Sequence, residues 1–588
     1  MTNYALNKPS GQEEKLSVKR SIGKLLPLLK DEKRNIMLAT IAVLINSGLN
    51  LLAPILIGYT VDKYILTGQY NGVLVFSAIL LAMYVIAVIA GYFQTMLMGA
   101  VGQHLLFNLR NAVFNKIQSL PVAFFNQNKT GDLISRINSD TDKLNQFFSQ
   151  SLIQFVVNTI MIIGAGIFIL FLNFRLGAAA LLPMLLLLVF TRLISPWIKR
   201  KNAASLKNVG GLSAEISESI DNFKVIIAFN RRDYFRKKFN EANNANYASS
   251  IRAGIANNTL TPAYGLASNL AQLIVIAYGL YLISAGEFTL GFLISFLTYI
   301  GKLYDPLRQM AAIWSNFQIA LAGWDRIHAI LTLKSNLNIV PSPEIASATA
   351  PLIEFKNVHF GYPDGKEVLH NINFKLVSGK TYALVGPTGG GKTTTASLMA
   401  RLYDPTKGTI LLNGKDIRSY EEREKAQRIG FILQEPFLFS GTIRDNILYG
   451  NEIYKNCTNE QLEKTIRDSG LESLLIRFEK GLETKIALSG GTLSLGQKQL
   501  IAFIRAVLRN PQLLILDEAT ANIDTVTEKL LEEILKKLPH ETTKVIIAHR
   551  LNTIANADEI FFVNAGEITP AGTMEHAVDM LLHEKRKS

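Results

Sequence analysis

Four stretches of this chain carry no Asp, Glu, Lys or Arg: residues 35–61, 64–109, 144–174 and 253–286. About 20 predominantly apolar residues cross a bilayer as a helix, and a helix satisfies its own backbone hydrogen bonds there. Runs of this length leave few folds open. The first half of the chain is expected to be an all-α membrane domain of six spans, near 36–60, 73–98, 151–173, 176–191, 262–284 and 288–304. The fourth and sixth are short for a crossing. Charged residues make up 18% of the chain, below the usual quarter for soluble domains, which agrees with a membrane protein carrying a soluble part.

The charge distribution orients the spans. Residues 1–34 hold eight Lys/Arg against four Asp/Glu, and residues 192–252 hold twelve against five. The connections at Asp62-Lys63, Arg175 and Glu287 are short and nearly balanced. Long basic connections therefore alternate with short neutral ones, which places both termini and the basic segments on the cytoplasmic side of the inner membrane. The net charge of +14 is accounted for largely by this bias, so no nucleic-acid partner is expected. Helical periodicity continues through 99–150 and 192–261, reading as cytoplasmic extensions of the spans. The polar, basic residues 1–34 do not read as a cleavable signal, and one cysteine, Cys457, rules out an internal disulfide framework.

After a Pro- and Ser-bearing linker at 331–350, residues 351–588 alternate strand and helix patterns, an α/β arrangement. The apolar run Tyr382–Val385 ends in Gly386-Pro-Thr388-Gly389-Gly390-Gly391-Lys392-Thr393-Thr394. Glycines let backbone N–H groups wrap a polyphosphate at a helix start. Lys392 would reach the β- and γ-phosphates and Thr393 would hold Mg²⁺. This fixes a nucleoside triphosphate as the fuel. A second apolar strand, Leu513–Leu516, ends in Asp517-Glu518, suited to Mg²⁺ and to polarising a water. A third, Val545–Ala548, ends in His549, placed to sense the γ-phosphate. A further anion site is Leu493-Ser494-Leu495-Gly496-Gln497 before a helix expected over 498–508. Two phosphate-grade surfaces in one chain suggest that the second faces a nucleotide held by another subunit.

These features, in this order, resemble the ATP-binding cassette exporters in the half-transporter form, one membrane domain (1–330) and one nucleotide-binding domain (351–588). The resemblance also covers Phe124-Phe125-Asn126 through Asp140, Ala214-Glu215 through Phe229, and Tyr304-Asp305-Pro306-Leu307-Arg308. It implies that Tyr362 stacks on adenine and that residues 388–394 cradle the phosphates of ATP. Gln434 would contact Mg²⁺ and report nucleotide state, with Thr393 and Asp517 as the other metal-side residues. Glu518 would be the general base and His549 the switch. Ser494, Gly496 and Gln497 would close on ATP held by a second subunit, with Asp524 across that interface. Segments 121–143 and 208–222 would be couplings to the nucleotide-binding domains, the second crossing to the partner. ATP binding would open the cavity outward and hydrolysis would reset it.

The sequence departs from the family pattern at Leu495, where the signature usually has glycine, and over 484–489, which usually holds a Glu-rich stretch with an arginine. A side chain at a backbone–phosphate approach weakens or re-spaces the contact. With an intact Glu518, this resembles one subunit of a heterodimeric exporter, and a heterodimer is favoured over a homodimer. The cargo is expected to be a small amphipathic or hydrophobic molecule, a drug or a lipid, in contact with membrane lipids. A flippase for one headgroup and a non-transporting channel are the alternatives. Asn46, Asn50, Gln94, Asn158, Asn269 and Gln272 would either line its path or bond between helices.

Overall fold

The computed structural model describes residues 4–6, 30–337, 339–341, 350–363, 365–475, 478, 480–487, 493–517, 525–547, 556–572 and 574–584. It divides into two compact units. One holds residues 30–117 and 131–332; the other holds residues 4–6, 118–130 and those from 333 onward.

The first unit is entirely helical. Its long helices are α1 (Lys33–Thr60), α2 (Tyr70–Gln118), α4 (Thr130–Leu172), α5 (Phe174–Asp221), α7 (Arg232–Ser284) and α8 (Leu290–Leu331). Two short helices complete the series, α3 (Val122–Gln127), which belongs to the other unit, and α6 (Phe223–Ala228). Among the described residues, five helices are long and apolar enough to cross a membrane: α1 with its flanking turns, α2, α4, α5 and α7. The sixth expected span falls on α8, whose first turns hold Lys302 and Asp305 and so lower its apolarity. As the periodicity predicted, α2, α4, α5 and α7 run on well past bilayer length.

Local chemistry sets the helix ends. Asn173, in extended conformation, caps α5 by accepting from the Leu176 N–H at 3.0 Å. Thr289 caps α8, and Asp62 joins it from the end of α1: its carboxylate accepts from the Gly291 N–H (2.7 Å) and the Thr289 hydroxyl (2.6 Å). Below this, α1 and α8 touch backbone to backbone. A methyl on Gly291 would stand 2.0 Å from the Gly58 carbonyl oxygen. The Ser295 hydroxyl donates to the Pro54 carbonyl at 2.6 Å, and the Tyr299 hydroxyl donates to the Leu51 carbonyl. Without a hydrophobic drive between helices in lipid, such small residues and interhelical hydrogen bonds hold a bundle together. The shared core is Ala165 and Ile169 from α4, Leu176 and Ala180 from α5, Ala271 and Val275 from α7, and Phe296, Tyr299 and Ile300 from α8.

Among the described residues, the second unit carries three sheets. Strands β1 (Ile353–Gly361), β2 (Glu367–Leu376), β4 (Lys407–Leu412) and β5 (Lys415–Asp416) form an antiparallel sheet in the order β2-β1-β4-β5. The main sheet combines β3 (Thr381–Val385), β6 (Ile429–Ile432), β9 (Leu513–Asp517), β10 (Thr543–Ile547), β11 (Glu559–Asn564) and β12 (Glu567–Pro570). Its order is β12-β11-β3-β10-β9-β6, parallel from β11 to β6. A small pair joins β7 (Gly441–Thr442) to β8 (Lys485–Ile486). The central strands are buried on both faces and read as unbroken apolar runs, as parallel sheets require. Helices α9 (Lys392–Met399), α10 (Ile443–Ile447), α11 (Leu495–Val507) and α12 (Thr525–Lys537) pack around them.

Candidate nucleotide site

Parallel neighbours end on the same side, so strand order decides what meets. β3 leads into the 386–393 loop, β9 ends at Asp517, and β6 ends two residues before Gln434. Ligands bind beyond the carboxyl ends of such strands. Glu518, Asp524 and His549 lie outside the described residues; in the sequence, Glu518 follows β9 directly and His549 follows β10 by two residues.

The loop adopts a conformation that needs glycine. Gly386, Gly389 and Gly391 have φ of 146°, 85° and 113°. The backbone behind it is equally tight: a Cβ on Gly386 would meet the Val563 carbonyl oxygen at 2.0 Å, and one on Gly390 would meet it at 2.5 Å. Lys392 is buried, and its Nζ donates to the carbonyls of Gly386 (2.9 Å) and Pro387 (3.0 Å). The ammonium is thus held inside the ring of the loop. Thr393 Oγ1 donates to Asp517 Oδ1 at 3.2 Å. A hydroxyl and a buried carboxylate at that separation form a donor set that fits an oxygen-loving cation such as Mg²⁺.

Tyr362 closes the far side. Its hydroxyl lies 3.2 Å from Thr394 Oγ1, and its ring meets Phe360 (5.0 Å) and Tyr403 (5.5 Å) edge to face. Together Tyr362, Val368, Thr388, Gly389 and Gly391 through Thr394 line an open cleft of about 280 Å³. Gln434 is exposed and outside that lining.

The 493–497 stretch stands apart from the cleft lining among the described residues. Here the structure corrects the expected boundary: the helix begins at Leu495, not Lys498. The reason is a capping box. Ser494 Oγ accepts from the Gln497 N–H (3.1 Å) while Gln497 Oε1 accepts from the Ser494 N–H (2.9 Å). Gly496 and Gln497 therefore lie in the first turn, and Leu495 projects from the first helical position, 37% exposed.

Two features went unread in the sequence. Asn126 on α3 donates to the Tyr403 hydroxyl at 2.7 Å, and Tyr403 also packs on Phe360. Tyr4 is buried at 1% exposure, edge-on to Phe124. Its N–H donates to Gln127, its carbonyl accepts from Asn128, and its hydroxyl donates to the Lys334 carbonyl. Asn126 falls in the 121–143 stretch expected to couple to the nucleotide-binding domain, but no motif marks Tyr403 as its partner, and a lone tyrosine such as Tyr4 carries no periodic signal. Of the amides in the spans, Asn50 donates to Asn46, Asn46 to Gln94 (3.3 Å), and Asn158 to Gln309 (3.2 Å). Asn46, Gln94 and Asn158 thus bond between helices, Asn50 bonds within its own helix, and Asn269 is exposed.

Comparison with known proteins agrees with both units. Residues 36–307 match the ABC transporter transmembrane region, and 369–521 match the ABC transporter ATPase model. The chain is 32% identical over 587 residues to YfiC of Bacillus subtilis, an uncharacterized ABC transporter ATP-binding protein, covering 97% of this chain and 95% of that one. It is 32% identical to the fatty acid ABC transporter ATP-binding/permease protein of Mycobacterium bovis, covering 84% and 78%. A solved bacterial Atm1-family ABC exporter with ATP bound superposes with a TM-score of 0.77 at 26% identity, covering 94% of this chain and 97% of that chain.

Proposed function

The chain belongs to the ABC transporter family, as an ATP-binding exporter with its membrane and ATPase parts on one polypeptide, and we propose that it moves small amphipathic or hydrophobic molecules outward across the cytoplasmic membrane by alternating access. The observation that carries this reading is the cleft itself. Tyr362, the glycine loop, Lys392 and the Thr393–Asp517 pair converge at one end of a parallel sheet, in a chain that also has membrane-length helices.

In this reading Tyr362 offers its ring face to adenine, and the loop N–H groups take the phosphates. Lys392 exchanges the Gly386 and Pro387 carbonyls for phosphate oxygens. Thr393 and Asp517, with Gln434, would hold Mg²⁺, which supplies charge neutralisation on the phosphates when bound. Glu518 takes the proton of the attacking water, and His549 contacts the γ-phosphate. A second half-transporter subunit completes each site: Ser494, Gly496 and Gln497 close on its ATP, and Asp524 lies across the interface.

Two exposed faces suit that partner. The 208–222 stretch expected to cross to the partner forms the end of α5; in this reading the crossing falls to the short helix just after it, and an aromatic groove of about 260 Å³, with Phe437, Phe439 and Tyr449 among its walls, would receive the partner's equivalent of α6. On α6 itself Phe223, Val225 and Ile227 are exposed. Asn126 on α3 would transmit movement to the adenine platform through Tyr403. Leu495 favours a heterodimer, since the partner could bring the glycine that this chain lacks. The fatty-acid relative supports amphiphiles with a single acyl chain as cargo.

The test is ATP turnover and ATP-driven uptake into inverted membrane vesicles by this chain alone, beside Glu518→Gln. Turnover and uptake that vanish in the variant support an exporter sufficient as a homodimer. Folded, ATP-binding protein with negligible turnover supports an obligate heterodimer. Turnover with no uptake of any amphiphile would defeat the export reading.

A further inference from the structure

Residues 4–6 sit in a socket built by two distant stretches of their own unit. The Asn128 side chain holds their main chain: its Oδ1 accepts from the Leu6 N–H at 2.9 Å, and its Nδ2 donates to the Tyr4 carbonyl at 3.0 Å. A carbonyl and the N–H two residues on share one edge of an extended chain, so this amide imitates a neighbouring strand. The Tyr4 N–H donates to Gln127 Oε1 at 2.8 Å, and the buried ring stands edge-on to Phe124 at 6.5 Å. At the ring's tip the hydroxyl accepts from the Asn336 N–H at 2.9 Å and lies 3.0 Å from both the Lys334 carbonyl and Asn336 Oδ1. A buried phenol whose tip is met by both donor and acceptor is recognised, not merely packed.

The place of this contact in the chain gives it consequence. The chain passes between the two units after Ile117, after Thr130 and after Thr332, besides the passage that follows residues 4–6. Tyr4 meets 124–128 on one side and 334–336 on the other. It therefore joins all three stretches of the nucleotide unit that run on into the membrane unit. Each stretch is anchored further in: α3 through Asn126 to Tyr403 at 2.7 Å, and the last through the Val340 N–H, which donates to the Arg418 carbonyl at 3.0 Å. Of residues 4–6 Tyr4 alone is buried. The entropy of ordering three residues is set against one ring and a few hydrogen bonds, so the attachment is reversible.

We propose that Phe124, Gln127, Asn128, Lys334 and Asn336 form a binding site for a short tyrosine-bearing peptide, filled here by residues 4–6 as a detachable strap. With the strap closed, α3 and the 334–336 stretch move as one piece; with it open, each moves alone. The strap's main chain and ring engage the 124–128 side, and its hydroxyl engages 334–336. One substitution, Tyr4→Phe, therefore separates holding the strap from bridging the two stretches. The inference goes beyond the export reading and uses none of its nucleotide-binding residues.

The experiment uses the full chain in lipid nanodiscs beside a variant lacking Thr2–Leu6. A synthetic peptide of residues 2–8, carrying fluorescein at its C-terminus, is followed by anisotropy. It is expected to bind the strapless variant and to bind the parent roughly tenfold or more weakly, because the tethered occupant competes at about millimolar effective concentration. The same peptide with Tyr4→Phe should bind the strapless variant roughly two- to tenfold more weakly, the size of a lost hydrogen bond. Asn128→Ala in that variant should weaken the parent peptide as well. Equal binding to parent and strapless variant overturns the proposal, as does no binding to the strapless variant at about 1 mM peptide. Hydrogen exchange tests the bridge in the intact chain. Tyr4→Phe should speed exchange across 334–337 several-fold and leave 121–128 close to the parent, whereas strap removal should speed both. Unchanged exchange at 334–337 in Tyr4→Phe overturns the bridge, as does a loosening of both stretches as full as on strap removal. Neither measurement uses ATP turnover or uptake, so the strap can fail while export stands, and the reverse.

Discussion

Replacing Tyr403 by Phe isolates a single contact between α3 and the nucleotide platform. The Tyr403 ring is 7% exposed and packs at 5.6 Å on Phe360 and 5.5 Å on Tyr362. Phenylalanine keeps those ring contacts, and only the hydroxyl that accepts from Asn126 is lost. A neutral hydrogen bond contributes about 0.5–1.5 kcal/mol net. Asn126 is exposed, so its freed amide turns to water and the loss stays at the lower end, about 0.5–1 kcal/mol. That corresponds to a factor of roughly two to five in any equilibrium the bond biases. Tyr403→Ala would instead empty a buried ring site at about 3–5 kcal/mol and confound coupling with folding. The assay is transported cargo per ATP hydrolysed in proteoliposomes, beside ATP affinity measured by fluorescence. For Tyr403→Phe the ratio is expected to fall roughly two- to fivefold, with ATP affinity nearly unchanged because Tyr362 keeps its packing. Asn126→Ala should produce the same deficit, and the double variant no more than either one. Full additivity of the two, or an unchanged ratio, refutes a shared contact.

Gly291→Ala places a methyl 2.0 Å from the Gly58 carbonyl oxygen and 2.6 Å from the Asp62 carboxyl carbon; overpacking of about 1–3 kcal/mol should lower the thermal midpoint in detergent, and a midpoint matching the parent would count against the close approach. Leu495→Gly should raise the turnover of the chain alone several-fold, at a helix cost of no more than about 1 kcal/mol; unchanged turnover means that side chain does not limit the site. Asp445 caps α10, and hydrogen bonds from the Thr442 backbone and hydroxyl hold its carboxyl below the ordinary range. Its contribution is therefore present above about pH 4 and lost as pH falls through the lowered value. Asp445→Asn should flatten that acid-side loss in a urea titration series, and a parent and variant with identical acid limbs would contradict it. Tyr4→Ala removes a buried ring, its edge-on contact with Phe124 and its hydroxyl's hydrogen bond to the Lys334 carbonyl, so hydrogen exchange across 121–128 should accelerate; unchanged protection would mean that the contact carries no stability.

Much of this protein was legible locally. Uncharged runs marked the spans because lipid admits few charges, and the glycine loop was readable because φ near 146° or 113° demands glycine wherever it occurs. Asp517 stands out as a carboxylate ending an apolar strand, and the fold sets it 3.2 Å from the Thr393 hydroxyl, 124 residues away. The boundary at Leu495 was misjudged because a side-chain capping box outweighs the pattern of apolar residues that follows it. The sixth span is expected over 288–304, and the helix that holds it, α8, continues past it through Asp305, Pro306 and Arg308 to Leu331. Its buried aromatic face holds the helix regardless of what the opposite face carries.

Residue type and short-range period thus determined the class of chain: membrane helices, then a phosphate-binding α/β unit with an acidic strand end. Only tertiary structure decided which distant residues meet. The order β12-β11-β3-β10-β9-β6 places the loop after β3 on the same side as Asp517, and nothing in the local sequence of any strand specifies its neighbour. Asn126 meets Tyr403 across 277 residues and Tyr4 meets Lys334 across 330. Contacts of that separation are stabilised by packing that must outweigh loop closure, a cost set by the whole chain and carried by no single segment of it.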